Sequence, residues 1–167
     1  MSPEHHYTAS VRWTASDAST TADYGGYRRD HLIRFPGKPE LAGSSDPAFR
    51  GDPSRYNPEE LLVAALSACH MLWYLHFCAI RGILVTEYED QAEGTMEEAG
   101  AAGGRFTEVV LRPRVRIARG DPKAAIELHE AAHLRCFIAN SVNFPVRQEP
   151  TVQVTEPTRA PDRSTGP

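Results

Sequence analysis

Residues 61–80 contain no Asp, Glu, Lys or Arg, and this uncharged stretch constrains the fold more than any other feature of the sequence. Twenty such residues are long enough to span a membrane as a helix. However, His70, His76 and Ser67 dilute the hydrophobicity, and the flanking segments have the patterns of strands in a water-soluble domain. We therefore expect no membrane partner. A helix that is apolar on all sides is typical of a core element buried on every side.

The residues at both ends of this stretch specify a helix. Asn57 is a favourable N-cap, Pro58 suits the first helical position, and Glu60 can cap the backbone of Asn57 in return. Gly82 provides a stop signal at the other end. The sequence therefore predicts a helix from Pro58 to about Arg81.

The remaining segments predict an α+β fold of one domain, residues 1–155, followed by a flexible tail, residues 156–167. Alternating apolar residues at Tyr7, Ala9, Val11 and Trp13 predict a half-buried strand. Other patterns predict strands at residues 31–35, 83–96, 106–118 and 151–155, a loop at 36–56, and a second helix at 122–142. We expect the two helices to be central and to pack against antiparallel sheets.

Charge and composition narrow the class of protein. The 18 basic and 22 acidic side chains give a net charge of −4, which argues against a nucleic-acid partner. The N-terminus lacks a basic segment followed by an apolar one, so we expect a cytoplasmic protein. Its three cysteines should then be reduced thiols, because disulfides are rare in that compartment.

A metal-binding pattern on the second helix provides one enzymatic alternative. His129-Glu130-x-x-His133 has the spacing that places two imidazoles on one helical face, as in zinc hydrolases. A zinc site needs a third ligand, and no clear ligand in a helical context follows the pattern beyond Glu149, which lies in a loop next to Pro150. Two partly buried histidines on an amphipathic helix fit the pattern better, so we expect no metal.

Cysteine positions provide a second candidate chemistry. Cys69 lies in the middle of the first helix and Cys136 near the end of the second, so the two thiols could meet if the helices pack side by side. Cys78 lies nine residues after Cys69, half a helical turn away in direction, and is expected to be a core side chain. Buried cysteines are otherwise commonly inert.

The segment from Asn57 to Cys69, NPEELLVAALSAC, resembles the central helix of the family of osmotically inducible protein C and organic hydroperoxide resistance proteins (OsmC/Ohr). In that family Asn-Pro-Glu opens a helix and a reactive cysteine follows a run of small and apolar residues. Cys136, within LRCFIANS, falls where the family places its second cysteine. With the order of strands and helices, the resemblance extends over about residues 7–155.

This resemblance implies a cysteine-based peroxidase that reduces organic and lipid hydroperoxides and works as an intertwined homodimer. Cys69 would be the peroxidatic thiolate, Cys136 the resolving thiol, and Glu59 the acidic partner of an essential arginine. An external dithiol, such as a lipoyl protein, would reduce the resulting disulfide. No metal or organic cofactor is implied.

Physical constraints predict two further components of the candidate site, an arginine and a second chain. Burial raises the pKa of a mid-helix thiol, so a cation must stand beside Cys69 if it is to react as a thiolate. The candidates are Arg28, Arg29, Arg50 and Arg55, of which Arg29 and Arg50 are preferred. Ten helical residues separate Glu59 from Cys69 by roughly 15 Å, so we expect Glu59 to serve the site of a partner chain.

Apolar residues near the thiols could bind an alkyl chain or belong to the core; they are Leu62, Leu66, Trp73 and Phe137. His70 could assist deprotonation of Cys69 or be a core histidine with its hydrogen bonds satisfied. A non-enzymatic alternative also stands, in which the protein is a redox sensor or binds small apolar ligands.

Overall fold

The computed structural model describes residues 3–16, 19–100 and 103–155 of the chain. It confirms the predicted α+β class. The chain divides into two compact units, residues 1–62 and 63–167. The predicted single domain is not tested by this division, and the predicted tail, residues 156–167, lies outside the described residues.

The first unit contains a three-stranded antiparallel sheet. Its strands are β1 (Ser10–Arg12), β2 (His31–Arg34) and β3 (Leu41–Gly43), in the order β1-β2-β3. β3 and a 3₁₀ turn (Pro47–Phe49) lie within residues 36–56, so the prediction of one long loop there is wrong. Backbone pairing between Gly43 and Tyr56 continues beyond β3 and ties the end of this segment to the sheet.

The expected half-buried first strand is also wrong for the isolated chain. β1 is three residues long, and the apolar face that the alternation predicted is open to solvent. Tyr7 is 90% exposed and Val11 66% exposed. The period-2 pattern therefore marks a surface that this chain leaves uncovered.

The first long helix, α1 (Pro58–Ile80), begins with the predicted capping box. The backbone N–H of Glu60 donates to Asn57 Oδ1 at 2.7 Å, and the backbone N–H of Asn57 donates to Glu60 Oε2 at 3.2 Å. These bonds satisfy two amide groups that the first helical turn leaves free.

The predicted stop at Gly82 is confirmed. Gly82 has φ +68°, a conformation that other residues rarely adopt. The backbone N–H of Ile83 donates to the carbonyl of Cys78 at 2.9 Å, which completes a Schellman motif. α1 itself ends at Ile80, one residue before the predicted position.

Only one face of α1 is buried in the isolated chain, contrary to the expectation of burial on every side. Leu66, His70, Tyr74 and Cys78 form this buried face, at the four-residue spacing of a helix. Leu72 on another face is 63% exposed. α1 also has the length and composition of a membrane span, but a single such helix is equally typical of a core helix.

The second unit contains two three-stranded sheets, ordered β4-β7-β9 and β5-β6-β8. The strands are β4 (Leu84–Asp90), β5 (Glu93–Glu98), β6 (Gly104–Leu111), β7 (Pro113–Arg119), β8 (Val146–Gln148) and β9 (Thr151–Val154). β4–β7 and β5–β6 pair antiparallel as predicted, whereas β7–β9 and β6–β8 pair parallel, so both sheets are mixed. β8 was not predicted.

Each predicted strand at 83–96 and 106–118 is in fact two strands, one in each sheet. The chain changes sheets at the same level in both segments. There the backbone N–H of Arg112 donates to the Asp90 carboxylate at 2.7 Å, and the Ser67 hydroxyl of α1 donates to the same carboxylate at 2.6 Å. Asp90 thereby fixes this crossing point against α1.

The second helix, α2 (Pro122–Arg135), begins after the predicted N-cap, Asp121, but ends about seven residues before the predicted residue 142. The side-chain amide of Asn140 donates to the carbonyl of Leu134 at 3.2 Å, where a continuing helix would use its backbone. Cys136 is consequently the extended residue that ends α2.

The core of the second unit lies between α1, α2 and the β4-β7-β9 sheet. Side chains of α1, α2 and β7 all contribute to this core. The fully or mostly buried members of this core are Tyr74, Cys78, Ile83, Val115, Ile117, Ala125, Leu128 and Ala132.

Candidate active site: two thiols on neighbouring helices

The second unit brings Cys69 and Cys136 together. Cys69 lies on α1 and is partly exposed, whereas Cys136 ends α2 and is only 1% exposed. Both are free cysteines, and Cys69 lies close enough to Cys136 to raise the pKa of the Cys136 thiol. The predicted meeting of these two cysteines is therefore present in the fold.

The environment of Cys136 keeps it protonated. Burial raises the pKa of the Cys136 thiol to about 11, and the neighbouring Cys69 raises it as well. The backbone N–H of Ala139 donates to Cys136 Sγ at 3.4 Å and opposes this effect. The pair therefore combines a buried, protonated Cys136 with a Cys69 side chain that solvent can reach.

Cys78 is separate from this pair, as its helical position predicts. It is 1% exposed and belongs to the core, and burial raises the pKa of its thiol. Its position makes it a natural control for experiments on the other two cysteines.

Aromatic side chains flank the thiol pair. Trp73, one helical turn after Cys69, packs edge-to-face against Phe137 at 5.6 Å and lies 5.7 Å from Phe77 between ring centroids. Phe137, which directly follows Cys136, is 69% exposed. We call Trp73, Phe77 and Phe137 the aromatic cluster.

The other two predicted pocket residues differ from this cluster. Leu66 is fully buried, so it belongs to the core and not to a surface that a substrate can reach. Leu62 is half-buried and lies in the first unit. Trp73 and Phe137 are thus the predicted pocket residues that lie beside the thiols.

His70 is buried in the core, as one of its two interpretations predicts, but its hydrogen bonds are not all satisfied, because Nδ1 has no partner among the described residues. Its Nε2 lies 3.0 Å from His129 Nδ1, and both residues are 1% exposed. Tyr74 stacks on the His129 ring with 3.9 Å between centroids. Sequence reasoning missed this pairing, although the spacing of His70 with Leu66 and Tyr74 is the signal for a shared buried face.

Burial keeps both imidazoles neutral. It lowers the pKa of His70 to about 4 and that of His129 to about 3. His133 lowers the pKa of His70 further, and His70 does the same to His129, because each disfavours a second positive charge nearby.

This pairing bears on the predicted zinc alternative. His129 directs Nδ1 at His70, and its Nε2 is buried without a hydrogen-bond partner. Within residues 3–16, 19–100 and 103–155, no three His, Cys, Asp or Glu side chains are grouped to hold a metal ion. The zinc hydrolase hypothesis therefore gains no third ligand and is not carried forward.

The four candidate arginines of the first unit fall into two groups. Arg28 and Arg55 each lie within 4.0 Å of the Asp30 carboxylate, at 3.9 and 3.7 Å. Arg29 and Arg50 form no ion pair among the described residues. The sequence alone could not separate these groups, because the pairing depends on the turns of this unit.

Tyrosine rings contact Arg29 and Arg50, the two candidates without an ion pair in the described part of the chain. The Arg29 guanidinium lies 3.8 Å from the ring centroid of Tyr27 and 4.9 Å from that of Tyr24. That of Arg50 lies 6.0 Å from the ring centroid of Tyr24 and donates to the carbonyl of Gly25 at 3.4 Å. Both guanidinium groups thus keep their charge available for an anionic partner.

Glu59, in the first turn of α1, has an oxygen without a partner. Its Oε2 is buried and makes no hydrogen bond within the described residues. A buried carboxylate oxygen without a donor costs folding free energy, so a cation or an N–H group that bound this atom would stabilise the protein. The structure does not test the predicted roles of Glu59, Arg29 and Arg50.

Comparison with known proteins identifies the family. The profile of the OsmC-like protein family matches residues 51–150, which is more than half of the chain. The chain belongs to this family. No match was found among curated proteins.

Solved structures agree with this assignment. An OsmC-like protein of unknown function from Vibrio cholerae is 34% identical, with a TM-score of 0.81 over 89% of this chain and 100% of that one. An organic hydroperoxide resistance protein from Elizabethkingia anophelis is 18% identical, with a TM-score of 0.64 over 93% and 100% of the two chains. OhrB of Bacillus subtilis is 20% identical, with a TM-score of 0.59 over 88% and 98%. The latter two similarities show a shared fold.

The buried histidine pair predicts acid-sensitive stability. The folded-state pKa values of about 4 and about 3 lie below the ordinary value of 6.5, so the unfolded chain binds more protons between these limits. Stability should therefore fall as the pH drops from 7 to 4.5, with a contribution on the order of 2 kcal/mol from His70 alone. Urea unfolding at fixed protein concentration measures the free energy of unfolding at each pH. The double variant His70→Gln/His129→Gln should show a shallower pH dependence, and an equally steep one would contradict the assignment.

Proposed function

We propose that this protein is a thiol-dependent peroxidase that reduces organic hydroperoxides, with Cys69 as the peroxidatic residue and Cys136 as the resolving residue. The observation that carries this proposal is the contact between a partly exposed thiol on α1 and a buried thiol at the end of α2. Membership of the OsmC-like family supports a redox role in general.

In the first step, the Cys69 thiolate attacks the terminal oxygen of the hydroperoxide. The O–O bond breaks, Cys69 becomes a sulfenic acid, and the alkoxide takes up a proton and leaves as an alcohol. Only a thiol that solvent reaches can meet this substrate, and Cys69 is the more exposed of the two. This step oxidises the sulfur by two electrons.

In the second step, the Cys136 sulfur displaces the hydroxyl group of the Cys69 sulfenic acid. A Cys69–Cys136 disulfide forms, and the hydroxide leaves as water with the proton of Cys136. The raised pKa of Cys136 suits this order, because a protonated thiol does not compete for the peroxide. An external dithiol, such as a lipoyl protein in a reducing cytoplasm, then regenerates both thiols without a metal or organic cofactor.

We further propose that the active unit is a homodimer. α1 exposes Leu72, and β1 exposes Val11, although both belong to apolar patterns that normally face protein. Among the described residues, Glu59 Oε2 has no hydrogen-bond partner and Arg29 and Arg50 form no ion pair. These complementary charges could be brought together by a second copy. In this arrangement Glu59 and an arginine activate Cys69 across the subunit interface.

The aromatic cluster supports a substrate with an alkyl or aryl group. Phe137 and Trp73 offer an apolar surface directly beside the two cysteines. Burial of a hydrocarbon group there would favour organic hydroperoxides over hydrogen peroxide, which has no such group to bury.

Substitution of the cysteines tests the proposed catalysis. With cumene hydroperoxide and dihydrolipoamide, Cys69→Ser should lower turnover more than about a hundredfold, because a serine hydroxyl does not ionise at neutral pH. Cys136→Ser should slow turnover and let Cys69 become overoxidised. The assay is loss of peroxide in the presence of a chelator.

Cys78→Ser is the matched control, since Cys78 lies on the same helix in the core, and it should retain turnover. Wild-type protein that consumes no hydroperoxide while its cysteines stay reduced would refute the peroxidase proposal. That outcome would leave the alternative of a non-enzymatic redox sensor or apolar-ligand protein.

A charge on α1 tests the proposed dimer. Leu72→Glu should convert the dimer to a monomer, because a carboxylate would then be buried in an apolar interface. Sedimentation velocity at micromolar concentration measures the mass, and the monomer should lose peroxidase activity. Ile126→Glu, an exposed position of α2, is the control that should stay dimeric. A wild-type protein that is monomeric and active would overturn the proposal.

A further inference from the structure

The hydrogen bond between His70 and His129 joins the same two helices that carry the two thiols. His70 directly follows Cys69 on α1, and His129 lies seven residues, or two helical turns, before Cys136 on α2. Nε2 and Nδ1 are 3.0 Å apart, and the ring planes are within 11° of parallel. The bond therefore lies one residue from Cys69 along α1 and roughly 10 Å from Cys136 along α2.

This bond is directional, unlike the contacts around it. The apolar contacts of this core, such as those of Ala132 and Leu128, are non-directional. Among the side-chain hydrogen bonds of the described residues, only His70–His129 connects α1 to α2. It can therefore fix how far one helix slides along the other.

Breaking the bond would be costly, which makes it an effective restraint. His70 Nδ1 and His129 Nε2 are buried and have no hydrogen-bond partner in the described part of the chain. Each ring thus depends on the other for its one polar contact. A helix shift that separated the rings would leave further polar atoms buried and unsatisfied.

We propose that the His70–His129 hydrogen bond is a positioning element that holds Cys69 in register with Cys136 for disulfide formation. This inference rests on the proposed function. Disulfide geometry is narrow, and a displacement of about 1 Å in a reacting pair can slow a reaction roughly a hundredfold. Attack on the peroxide does not involve Cys136, whereas resolution needs both sulfurs in register, so the two steps depend differently on this bond.

Single-turnover kinetics separate the two steps. His129→Leu is mixed with one equivalent of cumene hydroperoxide, and peroxide loss and disulfide formation are followed by rapid quench and mass spectrometry. Peroxide loss should stay within about twofold of wild type, while disulfide formation slows about tenfold or more. The sulfenic acid of Cys69 should accumulate and be trapped by dimedone.

Two further variants distinguish positioning from stability. Leu128→Ala weakens the same core from the neighbouring position on α2 but leaves the histidine bond intact, so its disulfide rate should stay close to that of wild type. His129→Asn keeps an acceptor near the place of Nδ1 and should recover most of the rate. If His129→Leu slows disulfide formation no more than Leu128→Ala does, the positioning role is wrong.

A peroxide-free measurement keeps this test separate from the proposed function. In redox buffers of dithiothreitol, the equilibrium between the Cys69–Cys136 dithiol and its disulfide reports the effective concentration of one thiol at the other. His129→Leu should lower this effective concentration about tenfold relative to Leu128→Ala. If His129→Leu does not fold, His129→Gln, whose longer amide misplaces the acceptor, should show the same loss. No difference from Leu128→Ala would overturn the inference whether or not the protein is a peroxidase.

Discussion

The packing of α1 against α2 is the constraint on which the candidate site depends. Cys69 reaches Cys136 only because α2 runs along the buried face of α1 and ends at the thiol. Ala125 and Ala132 of α2 are fully buried in the core that the two helices share. The Asp90 carboxylate connects α1 to the sheets by accepting from the Ser67 hydroxyl and from the backbone N–H of Arg112, at the point where both strand pairs change sheets.

Local signals made the helices the most predictable part of the fold. The capping box of Asn57 and Glu60 and the turn at Gly82 depend on residues within a few positions of each other, and both were predicted correctly. The cysteine pair could also be anticipated, because a family resemblance and the helical spacing of Cys69 and Cys78 pointed to the same thiol. These are cases in which short-range chemistry determines structure.

Features that depend on distant residues could not be read from the sequence. The division of two predicted strands at Arg112 requires the Asp90 carboxylate, and the early end of α2 requires the Asn140 amide. The histidine pair joins residues 59 positions apart. Burial of α1 was overestimated because an apolar sequence does not say whether its own chain or a second copy covers each face.

The most direct test of the account is to identify the bond that forms after one turnover. Protein treated with one equivalent of cumene hydroperoxide, without reductant, would be alkylated, digested and mapped by mass spectrometry. The account predicts a peptide pair linked through Cys69 and Cys136, with Cys78 alkylated as a free thiol. Consumption of the peroxide with Cys69 and Cys136 both still free, or a disulfide that includes Cys78, would contradict it.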